Sequence, residues 1–225
     1  MDSYLNTRIK YEDEDIIVIH KPSGIATETS KLGQADVVSE LKNYRKQKGE
    51  DTYIGVIHRL DQPVEGLLVF AKNPMAAKKL SSDIQKNEVK KTYYALTKPR
   101  PENMEGRLED YLLKNPKTNL SEVVTKGTKD AKYAALSYKC IKEVRIMEED
   151  AYLMEITIET GRHHQIRTQM AHAGMPLIGD HKYGGSLILK NTALFAGKLS
   201  LKHPKTNKNL MFELELPESW KIIEK

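Results

Sequence analysis

The chain has 225 residues, 39% hydrophobic and 30% charged, which fits one domain with a real core rather than a disordered segment. No apolar run approaches membrane-spanning length, and the opening MDSYLNTRIKYEDED lacks an apolar signal region. One cysteine, Cys140, excludes a disulfide framework and a multi-cysteine zinc site, and the net charge of +5 leans toward an anionic partner without naming it.

Residues 7–20 read as one or two strands ending in the run Ile16–Ile19, and KPSG (21–24) turns the chain. Val37, Val38, Leu41 and Tyr44 predict a helix over 35–47, with Gly49 just past its end. Two short strands, 53–58 and 66–71, flank a polar loop. Asn73-Pro74 is a helix start, Asn capping and Pro at the first helical position, and that helix runs to about Lys86. KKTYYALTK (90–98) reads as a strand by its aromatic and β-branched content. The polar stretch 99–130 is expected as a long excursion or arm. Paired strands follow at 132–146 and 151–159, then a helix over 163–173 closed by Gly174, then strands at 193–202 and 209–216. Strands outnumber helices and many neighbours are hairpin-like, so the fold class is α+β with a large, mostly antiparallel sheet.

Two polar constellations stand out. HRLDQPVEGLLVFAK (58–72) crowds His58, Arg59, Asp61 and Glu65 at the entrance of an apolar strand. ETGRHHQIRTQMAHAGMPLIGDHKYGG (159–185) gathers Arg162, His163, His164, Gln165 and Arg167 at a helix start, a place to hold anions. His163, His164, His172, Asp180 and His181 are potential zinc ligands, but they form no HExxH pair and no cysteines help. No phosphate-binding GxxxxGK[ST] and no GxSxG nucleophile elbow occurs. An aspartate-centred site on RNA, with Arg167 as partner, is a fourth competing reading. Taken singly, each residue has a bland one: Asp61 caps a turn, Tyr93 is a half-buried strand residue, Arg59 and Arg167 make structural ion pairs, and Lys21, Arg162 and Gln165 are polar loop residues.

Together these segments resemble the RluA-type family of RNA pseudouridine synthases. HRLDQPVEGLLVFAK resembles the signature around the family's catalytic aspartate, KPSG its short N-terminal motif, and KKTYYAL the motif with its active-site tyrosine. TGRHHQIR followed by GMPLIGDHKYG resembles its C-terminal signature. The likeness spans residues 15 to 217 in the right order. It implies a pseudouridine synthase fold, a central mixed, mainly antiparallel sheet with a cleft across it, in a single catalytic domain over 1–225 with no N-terminal S4-like module. It places the nucleophile on Asp61, the base-stacking tyrosine on Tyr93, the arginine partner of the aspartate on Arg167, and the arginine that fills the vacated stack on Arg59. The RNA-contacting set it implies is Arg59, Lys21, His58, Lys91, Arg162, His163 and Gln165. Glu65 stands where the family very often has serine, and Gln169 where many members have histidine. The expected partner is structured ribosomal or transfer RNA. The protein is expected to be a cytoplasmic monomer with no cofactor, no metal and no membrane association. The rivals are a non-catalytic RNA-binding protein, which would not need Asp61 or Arg167, and a zinc-dependent base deaminase, whose PCxxC pattern one cysteine cannot supply.

Overall fold

The computed structural model describes residues 8–29 and 33–224. In chain order its main elements are β1 (Ile9–Glu12), β2 (Ile16–Lys21), α1 (Val37–Gln47), β3 (Gly55–Val56), β4 (Glu65–Ala71), α2 (Pro74–Gln85), β5 (Lys90–Thr97), β6 (Glu105–Asn115), β7 (Leu120–Val124), β8 (Lys132–Ile146), β9 (Glu149–Ile158), α3 (Gln165–His172), β10 (Leu194–Lys202), β11 (Asn209–Glu213) and β12 (Ile222–Glu224). They form two compact units, one of residues 1–91 with 196–215, the other of residues 92–195 with 216–225.

In the first unit the strand order is β1-β2-β4-β10-β11, with β3 beside the far end of β4. β2 and β4 run antiparallel from Ile16 opposite Ala71 to Lys21 opposite Gly66. Ile16 through Ile19 are all fully buried, so both faces of β2 are covered, as its unbroken apolar run requires. On one face Ile16, Val18, Leu67, Val69, Leu199 and Leu201 pack with Ala76 and Leu80 of α2. That helix starts as expected: the Asn73 side chain accepts from the Ala76 N–H at 2.9 Å and Pro74 follows it. α1 is capped by Asp36, which accepts from the Ser39 N–H at 2.9 Å. The strand expected over 53–58 shrinks to Gly55–Val56. The Tyr53 carbonyl leaves the ladder because it accepts from Arg45 Nη1 at 2.5 Å.

Gly66 sits at φ +136°, and a Cβ there would lie 2.4–2.7 Å from the backbone of Ala196. Gly66→Ala therefore combines a strained backbone with a clash against a rigid strand, and it should cost about 2–4 kcal/mol. Urea unfolding measures this directly, and an unchanged midpoint would contradict it.

In the second unit the order is β5-β9-β8-β6-β7, antiparallel throughout, with β12 added to β8. Its core holds Leu96, Leu136, Met154, Ile156 and Met170, all fully buried. The 99–130 stretch differs from the expected arm: it folds as the β6–β7 hairpin, in register from Tyr111 opposite Val124 to Asn115 opposite Leu120. Of the β6 side chains only Leu112 is deeply buried, so the strand carries little apolar signal. Among the described residues no helix is long and apolar enough to cross a membrane.

Candidate active site

The loop between β3 and β4 carries His58, Arg59 and Asp61, and the segment after β2 is stitched onto it. Lys21 is completely buried. Its ammonium donates to the carbonyls of Pro22, Ile25 and Gln62 at 2.9, 2.7 and 3.2 Å. The Gly24 N–H donates to the Gln62 carbonyl at 2.8 Å, and Gln62 Nε2 donates back to the Gly24 carbonyl at 2.9 Å. Thr27 Oγ1 donates to the Leu60 carbonyl at 3.1 Å and accepts from the Leu60 N–H at 3.2 Å. Ser23 Oγ holds the Pro63 carbonyl at 2.8 Å. The peptides of Leu60 and Gln62, on either side of Asp61, are thus both fixed. The turn is closed by the Val64 N–H on the Asp61 carbonyl at 3.0 Å.

An ammonium enclosed in this way offers no exposed charge to a phosphate, so Lys21 braces the loop in this structure. Burial pushes its pKa down to about 8, against the pull of the Asp61 and Glu65 carboxylates beside it. The sign follows from linkage. Between about pH 8 and 10.5 the unfolded chain keeps this proton and the native chain releases it, so native stability rises across that window and is lowest below it. Urea unfolding of the wild type and Lys21→Met should show the difference moving in favour of the wild type as pH rises. A difference that stays constant would contradict the assignment.

His58 is neutral: burial, reinforced by the Lys91 ammonium, pushes its pKa down to about 3. Its Nε2 accepts from the Val69 N–H at 3.3 Å, which ties the loop to β4. Burial also lowers the pKa of Lys91. Arg59 is exposed and lies 3.3 Å from Glu28, a loose surface pair. Glu65, the departure from the family pattern, pairs with His20 Nε2 at 2.7 Å.

In the second unit Tyr93 lies on β5 opposite Ile156 and is 5% exposed. Arg167 is buried in the first turns of α3, and its fork grips Asp180: Nε donates to Oδ2 at 2.7 Å and Nη2 to Oδ1 at 2.8 Å. The Tyr183 ring lies 5.1 Å from the guanidinium carbon. The Tyr183 hydroxyl accepts from the Ser121 N–H at 2.8 Å and shares a hydrogen bond with His164 Nδ1 at 2.8 Å. His164 adopts φ +51° just before α3 and stacks on His163 at 3.8 Å. Burial, then the positive charges of Arg167, His163, Lys182 and Lys114, push the His164 pKa down to about 2. Ser121 Oγ donates to the His163 carbonyl at 2.8 Å and accepts from His163 Nδ1 at 2.9 Å.

Two of the expected RNA contacts are engaged with the protein's own backbone. Gln165 is buried; its Oε1 accepts from Thr160 Oγ1 and the Arg162 N–H at 2.7 and 3.0 Å, and its Nε2 donates to the Ala135 carbonyl at 3.0 Å. Exposed Arg162 donates from Nε to the Tyr133 carbonyl at 2.9 Å. Gln169 is fully buried and donates to Asp110 Oδ2 at 2.8 Å, tying α3 to β6. Ser121 and Tyr183 were not singled out in the sequence, and Asp180 figured there only as a metal ligand.

Asp13, Asp15 and His203 are the one group among the described residues whose ligand atoms lie within 4.8 Å of one another. His203 Nδ1 accepts from the Lys205 and Thr206 N–H groups at 3.2 and 3.1 Å. Nε2 therefore carries the proton and donates it to Asp13 Oδ2 at 2.8 Å, which makes the group a hydrogen-bonded latch rather than a metal centre.

Residues 15–172, which run through both constellations' leading motifs, match the family model described as RNA pseudouridylate synthase. The chain belongs to the RNA pseudouridylate synthase family. It is 33% identical over 210 residues to the ribosomal large subunit pseudouridine synthase C of Rickettsia felis, covering 92% of this chain and 67% of that protein. It is 29% identical over 228 residues to the tRNA pseudouridine synthase C of Vibrio cholerae, covering 94% of this chain and 92% of that protein. The solved structure of human RNA pseudouridylate synthase domain containing 1 superposes with a TM-score of 0.79 at 18% identity, over 99% of this chain and 90% of that one. The α+β fold is therefore that of a pseudouridylate synthase domain. The enzyme is an RNA pseudouridine synthase of the RluA type, an isomerase, and its substrate is RNA.

Proposed function

We propose that this synthase converts specific uridines of ribosomal or transfer RNA to pseudouridine with Asp61 as its nucleophile. The observation that carries the reading is the loop of Asp61, clamped on both sides by residues 21–27 with a buried ammonium beneath it. A nucleophile carried on a backbone held with so little freedom meets a reacting carbon with less left to order.

The reaction cuts the C1′–N1 bond, turns the uracil and joins C5 to C1′. Nothing is oxidised and no group leaves, so this chemistry calls for neither a redox cofactor nor a metal. It needs a nucleophile that adds to C6 of the base or C1′ of the ribose and departs again, which a carboxylate does. Arg167 is the residue the family pattern assigns to keep that carboxylate ionised, and its planar fork suits the task better than a lysine. Tyr93 stacks on the flipped base, and exposed Arg59 fills the gap left in the RNA stack. His58 and Lys91 act near the nucleophile's loop, with Lys21 as its brace. Arg162 and His163 meet RNA beside α3, where Gln165 supports the backbone. The family match crosses from one compact unit into the other, which supports reading residues 1–225 as one catalytic domain. We read the protein as a cytoplasmic monomer.

The test is direct. Unmodified ribosomal and transfer RNA transcripts are incubated with purified protein, and pseudouridine is mapped by chemical labelling and reverse-transcription stops. New stops at defined uridines are expected. Binding with no new stops on either RNA would favour the non-catalytic reading.

A further inference from the structure

We infer that the tip of the β6–β7 hairpin and the return loop at 180–184 form a clamp for RNA phosphates, with Lys114 and Lys182 as its two contacts. The inference rests on RNA being the substrate and adds where the polyanion is held. Two bonds join the two segments, and a third set ties the hairpin to the residue pair that precedes α3. The Ser121 N–H reaches the Tyr183 hydroxyl at 2.8 Å, Ser121 Oγ reaches His163 at both its carbonyl and Nδ1, and Lys182 Nζ donates to the Asn119 carbonyl at 3.4 Å. Lys114 is the cross-strand partner of Ser121, so its side chain stands on the face that carries these bonds. Glu122, next along β7, points to the opposite face.

The charge facing this spot is positive from several directions. Lys114 on β6 and Lys182 on the return loop both act on His164, which burial keeps neutral. Asp180, the acid within the same loop, is fully buried and neutralised by the Arg167 fork, so it does not offset the lysines. Lys114 and Lys182 are both exposed, and among the described residues the Lys114 ammonium makes no hydrogen bond or ion pair. Lys117, Lys126, Lys129 and Lys132, all exposed, extend the positive character along the hairpin. A merely solvated lysine face needs no such stitching. An exposed ammonium on the hairpin and another on the return loop bonded to it offer two contacts to a phosphodiester backbone, which binds by charge and counterion release rather than by base reading.

The test is the salt dependence of binding to unmodified transfer RNA and large-subunit ribosomal RNA transcripts, with the rate of pseudouridine formation at saturating RNA measured in parallel. Lys114→Ala and Lys182→Ala should each weaken binding and flatten the log Kd against log salt slope by about 0.7–0.9. Together they should flatten it about twice as much, with the saturated rate held within about twofold. Lys139→Ala is the control, since that exposed lysine lies opposite Glu105 and Glu155 on its two neighbouring strands, and its slope should match the wild type. Wild-type slopes in both clamp variants would overturn the inference. A protein that binds RNA with altered slopes in the variants but forms no pseudouridine would overturn the assigned chemistry and leave the clamp standing.

Discussion

Replacing Asp61 by Asn is expected to lower pseudouridine formation by about 10⁴-fold or more, with RNA affinity within about twofold of the wild type. The amide has nearly the carboxylate's shape, and the bonds that clamp the peptides on either side of it run through main-chain atoms of Leu60, Asp61, Gln62 and Pro63, so that clamp is kept. What the proposed chemistry loses is the anion that attacks and later departs. Single-turnover labelling on unmodified RNA, with binding measured on the same preparations, separates the two effects. An Asp61→Asn variant that retained a tenth or more of the wild-type rate would end the nucleophile assignment. Thermal melting supplies a further control. The substitution also removes a negative charge beside the buried Lys21 ammonium, so a small loss of stability is expected and does not account for lost turnover.

The second large effect is on stability. Asp180→Ala leaves the Arg167 guanidinium buried without the carboxylate that takes two of its bonds, at a site where Asp180 is fully buried and Arg167 is 3% exposed. Removing one partner of such a pair costs about 3–5 kcal/mol. The Lys182 N–H, which donates to Asp180 Oδ1 at 3.1 Å, also loses its acceptor. Replacing both charges by apolar groups, as in Arg167→Met with Asp180→Leu, should recover part of that loss, because the guanidinium is no longer buried without its Asp180 carboxylate. Urea unfolding of the two single variants and the double variant measures the coupling. If the double variant is no more stable than Asp180→Ala, the pair's charge is not what Asp180 supplies.

Much of the architecture was legible because it rests on local rules. Asn73-Pro74 announced a helix start, and the run at Ile16–Ile19 announced a strand; both hold. The β6–β7 hairpin was not legible because charged residues alternate along β6 and Leu112 alone is deeply buried, so no apolar stripe marks it. β12 is three residues long and gains its identity only by pairing with β8. The Asp61 loop was visible as a polar cluster at the mouth of a buried strand, but its brace was not. A lysine beside Pro and Gly reads as a surface residue, and only the folded backbone brings three carbonyls around it. The pairing of Arg167 with Asp180 crosses a glycine-rich turn, which has no period from which a partner can be inferred.

The return of residues 196–215 to the first unit has a consequence for how the chain folds during synthesis. Leu199 and Leu201 belong to the same buried cluster as Ile16, Val18, Leu67 and Val69, and β10 lies beside β4. A nascent chain that ends before β10 therefore exposes an unfinished apolar face and the open edge of β4. The β6–β7 and β8–β9 hairpins of the second unit join sequence neighbours and can close first. Native order is thus reached by a late, long-range strand addition, the kind of step that limits folding rate and leaves the growing chain open to edge-to-edge association.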